Sequence, residues 1–517
     1  MPTDDHSVAL GVPRPAGVVP VALSSLAARA GTGADGTYRA YVDGSDVAVT
    51  GVTMASTFVR PGDLFAAAPG RAAHGATYAA SALAAGAVAV LTDEAGRAAL
   101  PADTPVLVVP DVRECVGPLA AEVYGDPSGE LDVLGVTGTS GKTTTTFFLR
   151  AGLHAAGRTS GLVGTVATLI GDESIKTGFT TPEAPELQGL LAVMRERGAT
   201  HVAMEVSSHA LAMGRVGGIE FAVGAFTNLS EDHLDFHADM DDYFEAKALL
   251  FDGRSRDAVI VVDDEWGRRL AERIGACVTV STGETDATWR ATEIVEQPDG
   301  TTRFRVVGRG VDLVTGCAVP GRYNVANALL ALAILHENAV SADIAAAAIA
   351  TAVVPGRMER IDAGQGFLAV VDYSHKPAAV DGALRALRPL TTGRLIIVLG
   401  CGGDRDRGKR PHMGEIAARG ADLLIVTDDN PRSEDPAAIR AAMLAGAQAV
   451  PSGARGEVRE VGDRAGAIAA AVAAAEPGDT VLIAGKGHEP GQEIAGVTYP
   501  FDDRDVLRSA LEFRCSN

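Results

Sequence analysis

Apolar positions in this chain gather into short runs broken by Gly, Pro and polar turns, and the spacing of the runs changes along its length. Up to residue 130 the runs are brief and closely punctuated, as in Val59-Arg60-Pro61-Gly62-Asp63-Leu64-Phe65 and Ala87-Val88-Ala89-Val90-Leu91, which predicts a small α/β unit. From Leu131 an apolar strand leads into a Gly-rich turn and a helix that begins near Thr143 and stops near Gly157, the opening of a parallel-sheet nucleotide domain. Strand-like runs at His201 to Val206, Val223 to Leu229 and Ala258 to Val262 continue it. Pro355-Gly356 punctuates the chain again. Beyond it Phe367 to Val371, Leu395 to Leu399, Leu423 to Val426 and Val481 to Ala484 alternate with helical stretches around Met413 to Ala418 and Ala437 to Ala445. That alternation reads as a doubly wound sheet, whose ligands gather at the carboxyl ends of its strands. The pattern predicts an α/β protein of three domains: a small N-terminal α/β domain over 1–130, a central phosphate-loop domain with a parallel sheet over 131–355, and a C-terminal Rossmann-like doubly wound domain over 356–517.

Composition supports several packed cores, since 517 residues exceed one ordinary core and 47% of them are hydrophobic. The net charge of −21 argues against a nucleic-acid backbone as partner, so any phosphate site must be local. Five widely spaced cysteines (Cys115, Cys277, Cys317, Cys401, Cys515) form no CxxC pair; they give no zinc signature and read as buried or incidental thiols of a reducing compartment. The start, Met1 to His6, has no signal-peptide character. The longest apolar stretches, such as Ile344 to Val354, fall short of the roughly 18 to 20 residues that span a bilayer. A cytoplasmic, non-inserted monomer is expected.

The strongest chemical signal is Gly135-Val136-Thr137-Gly138-Thr139-Ser140-Gly141-Lys142-Thr143-Thr144, between a strand and a helix. Backbone amides of Gly138, Thr139, Ser140, Gly141 and Thr144, together with the helix N-terminus, can cradle an anion there. Lys142 would meet the β- and γ-phosphates of ATP, and the Thr143 hydroxyl would bind Mg²⁺. Val136 stands where the strict Walker spacing wants its first glycine. Glu205, near the end of an apolar strand, can reach the same metal. Thr227 to His237 is rich in Asp and His, with Lys247 a few helical turns beyond; alone, this cluster reads more readily as a solvated loop than as a site. Ser207-Ser208-His209 invites a hydrolase reading, against which stand the strand-linked Glu205 and the lack of a GxSxG elbow.

With these segments in view, the chain resembles the Mur ligases. The matching blocks are Thr137 to Thr144, Thr180-Thr181-Pro182-Glu183, Met204 to Leu211, Thr227 to His237, Tyr243 to Lys247, Pro355 to Arg360, Asp372 to His375, Gly400 to Arg410, Asp428 to Arg432 and Gly485 to Glu489, in family order along nearly the whole chain. The resemblance implies a two-stage ligation in peptidoglycan synthesis: a D-glutamate carboxylate of UDP-N-acetylmuramoyl-L-Ala-D-Glu takes the γ-phosphate of ATP to give an acyl phosphate, which an incoming amine then attacks. It implies that His233 helps hold a second Mg²⁺ and that Lys247 is carbamylated by CO₂, an anionic oxygen donor suited to that ion. It further implies nucleotide contacts from Asn324, Arg357 and Asp372, with His375 and neighbouring Asn327 nearby, and closure of the third domain over the reaction. Thr180, Thr181, Ser207 and Arg215 would contact the UDP-muramoyl-dipeptide and Ser56 its uridine end. Two departures touch that region: the family's Asp-Ser-Arg reads Ala55-Ser56-Thr57, and Met213 replaces an expected Gln. A ligand-free Asn at a helix start is an equally ready reading of Asn324.

The same resemblance assigns Asp429, Asn430, Pro431, Arg432, Arg405, Gly485 and Glu489 to the incoming amino acid. Arg432 associates with meso-diaminopimelate, because a guanidinium can clamp its second carboxylate bidentately. L-lysine is the alternative substrate, a surface salt bridge the bland reading of Arg432. Folylpolyglutamate synthetase, which shares the phosphate loop and chemistry, is the rival ligase; a phosphate-loop ATPase or binding module that uses nucleotide only as a switch is the rival of another class.

Overall fold

The computed structural model describes residues 12–516 apart from 32–38, 71–72, 176, 178–179, 284–285 and 298–299. The N-terminal segment Met1 to His6 lies outside the described residues. The chain folds into two compact units, Met1–Trp289 with Leu330–Ala345, and Arg290–Leu329 with Ala346–Asn517.

The first unit holds two large sheets and a two-stranded pair, Val21–Ala22 with Ala48–Val49. The N-terminal one runs Tyr41–Asp43, Val106–Val108, Ala89–Thr92, Asp63–Ala66, Gly51–Thr53, parallel except for its first pair. Its continuous apolar strands are buried on both faces, as parallel strands must be. In the second sheet Ser160–Val163, His201–Glu205, Asp132–Thr137, Phe221–Phe226, Ser255–Val261 and Val278–Ser281 lie side by side in parallel. Thr168–Ile170 and Glu173–Ile175 extend it antiparallel. The two sheets share a unit because helices join them: Val112–Val123 packs against Ala184–Glu196, and Ala184 and Ala192 sit in one core with Val52, Leu64 and Leu119.

The helix after the phosphate loop, Lys142–Ala155, contains Thr143 to Thr146 in succession, β-branched residues with weak helix preference. Thr145 and Thr146 are fully buried, so packing overrides propensity.

In the second unit six strands run Glu359–Arg360, Leu368–Asp372, Thr480–Ala484, Leu395–Leu399, Leu423–Val426, Glu457–Glu460, all parallel except the first. The loops after Asp372, Leu399, Val426 and Ala484 therefore emerge from the same carboxyl edge, where an open α/β sheet presents its ligand crevice. A short hairpin, Gly491–Ile494 with Val497–Pro500, follows the last of these loops.

No helix among the described residues is long and apolar enough to cross a membrane. All five cysteines are free; Cys317 and Cys401 are buried, whereas Cys515 is exposed on the last helix.

Candidate active site

The phosphate loop turns on two glycines in left-handed backbone regions, Gly138 (φ 144°) and Gly141 (φ 90°). A Cβ on Gly138 would stand 1.9 Å from Thr227 Oγ1, so no other residue fits that close approach. Val136 lies in the strand itself, fully buried, and takes no part in the turn. The loop is braced from the Thr227 to Ser230 segment: Asn228 Oδ1 accepts from the Ser140 N–H at 3.0 Å, the Asn228 carbonyl accepts from the Thr139 N–H at 2.9 Å, and Thr227 Oγ1 donates to the Ser140 carbonyl at 2.7 Å. Thr139 Oγ1 also lies 3.2 Å from the Tyr243 hydroxyl, whose pKa burial raises. Thr227, Asn228 and Tyr243 stood in the quoted blocks without roles; their part emerges only when strand ends meet.

Two ammonium groups converge on one carbonyl. Lys142 Nζ donates to Gly138 O at 2.8 Å and to Thr139 O at 3.0 Å, and Lys247 Nζ donates to the same Gly138 O at 2.8 Å. Lys247 is 1% exposed and sits 4.4 Å from the Tyr243 ring centroid, so it is no surface lysine. Thr143 and Thr144 are buried at the helix start.

Glu205, also 1% exposed, ends its strand with one carboxylate oxygen accepting from the Thr165 N–H at 2.9 Å and the other from the Thr165 hydroxyl at 3.1 Å. Thr165 Oγ1 lies 3.1 Å from Thr180 Oγ1, and Thr181 Oγ1 donates to the Glu205 carbonyl at 2.9 Å. Glu205, Thr180 and Thr181 are thus brought together, with Thr165, which sequence reasoning missed, as their link. Arg215 pairs its Nε with Glu183 at 2.9 Å. Ser207 caps the helix Ser208–Ala212. Ser56 opens a separate single turn, Ser56–Phe58, in the N-terminal sheet region.

His233 adopts φ 55°, pairs with Asp232 at 3.3 Å and meets the His209 ring edge-on at 4.8 Å. The serine neighbours of His209 do not use it. Ser208 Oγ instead lies 3.0 Å from Nε2 of buried His237, whose Nδ1 lies 3.2 Å from Asp242. Burial lowers the His209 pKa, with His237 adding to the shift. Among the described residues no group of three or more His, Cys, Asp or Glu side chains is close enough to hold a metal.

In the second unit Asp372 accepts from the Met358 N–H at 2.8 Å and the Ser374 N–H at 2.9 Å, while the Arg357 guanidinium covers the Tyr373 ring at 4.3 Å. Burial pushes His375 down to about 4, with Lys376 adding to the shift. Asn324 is the third residue of the helix Arg322–Glu337 and fully packed, its amide donating to Pro320 O at 2.7 Å and its oxygen accepting from Asn327 at 3.0 Å.

The carboxyl edge also gathers a compact charged set. Fully buried Lys486 donates to Asn430 Oδ1 at 3.0 Å and pairs with Glu489 at 3.2 Å; Asn430 Nδ2 donates to Glu489 at 2.8 Å. A Cβ on Gly485 would come within 2.5 Å of Asp429 Oδ2. Arg432 Nη1 donates to Gly403 O at 2.6 Å and its Nε pairs with Glu493 at 3.4 Å. Arg405 is exposed on the adjoining loop, which Asp404 ties to Ser433 at 2.8 Å. Lys486 and Glu493 are charged members of this set that carried no assignment.

Fold and site together define a phosphate-loop α/β enzyme. Three regions match Mur ligase families: residues 48–124 the Mur ligase family catalytic domain, 136–335 the Mur ligase middle domain, and 356–487 the Mur ligase glutamate ligase domain. A relative from Streptomyces avermitilis named UDP-N-acetylmuramoyl-L-alanyl-D-glutamate–2,6-diaminopimelate ligase is 54% identical, covering 97% of this chain and 98% of that one. One of the same name from Corynebacterium efficiens is 53% identical over 88% of this chain and 89% of its own. A solved structure of a ligase of that name superposes with a TM-score of 0.69 at 31% identity, covering 96% of this chain and 100% of the other. The chain belongs to the Mur ligase family and is an ATP-dependent ligase.

Proposed function

We propose that this chain joins meso-2,6-diaminopimelate to the D-glutamate carboxylate of UDP-N-acetylmuramoyl-L-alanyl-D-glutamate, converting ATP to ADP and phosphate, in bacterial peptidoglycan synthesis. The observation that carries the reading is 54% identity across 97% of the chain to a ligase named for this acceptor and this amino acid.

A carboxylate resists amines because it is anionic and its oxide is a poor leaving group. Transfer of the γ-phosphate to it cures both faults, and the amine then expels phosphate. The first step needs positioning and charge neutralisation more than covalent help. Lys142 and the loop amides of Gly138, Thr139, Ser140, Gly141, Thr143 and Thr144 supply them, with Asn324, Arg357 and Asp372 assigned to the nucleotide. Mg²⁺ fits the donors at hand: a buried carboxylate, a hydroxyl and an imidazole, too few to cage an ion without substrate phosphates, as is usual for Mg²⁺. Thr143, Glu205, His233 and Lys247 as a carbamate would hold two such ions, which would neutralise phosphate charge when bound. Lys247 is buried with its ammonium on the Gly138 carbonyl beside Lys142, and its carbamylation would replace that cation with an anion.

Ser56, Thr180, Thr181, Ser207 and Arg215 are assigned to the UDP-muramoyl-dipeptide, with residues 1–130 as its domain, 131–355 as that of ATP and 356–517 as that of the amino acid. Arg432 and Arg405 take the far carboxylate of diaminopimelate; Asp429, Asn430, Pro431, Gly485 and Glu489 take its ammonium end. The reading carries a cytoplasmic, monomeric enzyme with it.

The test incubates the protein with ATP, Mg²⁺ and the UDP-muramoyl-dipeptide, and compares phosphate release with meso-diaminopimelate, with L-lysine and with neither, alongside the product mass. Diaminopimelate-dependent release with a tripeptide product is expected. Preference for L-lysine would overturn the assignment of Arg432, and release indifferent to amino acid would overturn the ligation.

A further inference from the structure

The loop assigned to the third amino acid is held by a partner that no motif marked. Arg432 has a left-handed backbone, φ 53°. Its N–H donates to the Glu493 carbonyl at 3.0 Å, and its own carbonyl accepts from the Ala495 N–H at 2.7 Å. Gln492 Nε2 donates to the Asp429 carbonyl at 2.7 Å, and the Glu493 N–H donates to Asn430 Oδ1 at 3.0 Å. The hairpin Gly491–Ile494 with Val497–Pro500 therefore fixes the backbone of Asp429 and Arg432 and the side-chain amide of Asn430.

The Glu493 side chain does something separate. Its carboxylate lies 3.4 Å from Arg432 Nε, while Arg432 Nη1 donates to Gly403 O at 2.6 Å. A guanidinium offers a carboxylate two bidentate edges, Nε with one terminal nitrogen or the two terminal nitrogens together. With Nε turned to Glu493 and one Nη1 proton given to Gly403 O, Nη2 and the second Nη1 proton are left to face a ligand. Arginine without such a brace explores many rotamers, and immobilising it on binding costs affinity. The pair is partly exposed, 23% and 42%, so its contribution to folding is small and its effect is confined to where the fork points.

We infer that Glu493 is a positioning residue for the incoming amino acid: it orients the Arg432 fork and so sets affinity for a substrate with a second carboxylate. The inference rests on the proposed function, in which Arg432 receives that carboxylate.

Steady-state kinetics with meso-diaminopimelate test it on the full chain as wild type, Glu493→Ala, Glu493→Gln, Arg432→Ala and the Ala double variant. Glu493→Ala is expected to raise KM for diaminopimelate roughly threefold, as for loss of a partly exposed ion pair, leaving kcat and KM for ATP unchanged. Glu493→Gln keeps the length of the side chain and an oxygen toward Nε but not the charge, and recovers part of the loss. In the Arg432→Ala background, Glu493→Ala adds nothing further, a coupling that a merely structural role would not show. An unchanged KM in Glu493→Ala, no recovery in Glu493→Gln, or an equal additional loss in the Arg432→Ala background would each overturn the inference while leaving the ligation intact. A wild-type enzyme that makes no product with diaminopimelate would remove the proposed function first, and this inference with it.

Discussion

Gly138 carries the tightest constraint at the site. Its φ of 144° disfavours any side chain, and an added methyl would collide with Thr227 Oγ1, the group that braces Ser140. Gly138→Ala must displace the carbonyl on which Lys142 and Lys247 converge. Its kcat/KM for ATP is expected to fall by roughly two orders of magnitude, the scale of a misplacement near 1 Å; an unchanged value would detach the loop from the nucleotide. Lys247 gives a second prediction: with ¹³C-bicarbonate, a carbamate carbon signal is expected in the wild type and absent in Lys247→Arg, and a spectrum without it in both would leave Lys247 as an amine. His375 gives a third. Burial holds its pKa near 4 against 6.5 in an open chain, so between those values the unfolded state binds the proton first. Stability from this group is complete above pH 6.5 and is lost as pH falls toward 4, so His375→Gln should show a flatter Tm against pH across that window, with no difference above it. Gly138, Lys142 and Thr143 were legible in the sequence because a phosphate loop is built from consecutive residues. Thr165 and Glu493 were not, because each matters through a partner far along the chain, Glu205 and Arg432 respectively.

Whole elements were easier to read where apolar periodicity was strong. Leu395–Leu399 and Leu423–Val426 fall where the alternation put them, and the helices Lys409–Gly420 and Pro436–Ala449 extend the stretches expected around Met413 and Ala437. The hairpin was illegible because only Ile494, Val497 and Tyr499 are large and apolar in it, one strand being half-buried and the other exposed. Its one signal was Ala495-Gly496, which takes φ 50° and 79° as a two-residue hairpin turn requires. Equally hidden was the clamp behind the carboxyl edge. Arg464 and Asp503, both fully buried, meet in two bonds of 2.7 Å, and the same guanidinium donates to the carbonyls of Ala484 at 3.0 Å and Asp428 at 3.3 Å. One side chain thus ties the end of the strand Thr480–Ala484 to the loop that follows Leu423–Val426, beside Gly485 and Asp429. Arg464→Met strands a buried carboxylate and should cost about 3 to 5 kcal/mol in urea unfolding, whereas Arg464→Met with Asp503→Leu should recover much of it. If the double variant is no more stable than the single, the strand-end carbonyls and not the ion pair carry the cost.

At the scale of the whole molecule the net charge of −21 sets a problem for an enzyme of anionic substrates. ATP, and under the proposed function a UDP-linked dipeptide, approach a chain of net negative charge, and attraction builds close to the loop that carries Lys142. These two contributions differ in range. The repulsion comes from charges spread over the chain and is screened as the Debye length falls from about 20 Å near 20 mM salt to about 7 Å near 200 mM, whereas Lys142 and the loop amides act at contact distance and are screened far less. Added salt should therefore remove more repulsion than attraction. The expected result is a kcat/KM for ATP that stays level or rises modestly across that range of potassium chloride at fixed Mg²⁺, the reverse of a site fed by a broad basic surface. A steep fall would mean that Lys142 and its surroundings project their field well into solvent, and that the net negative charge exerts little influence on substrate entry.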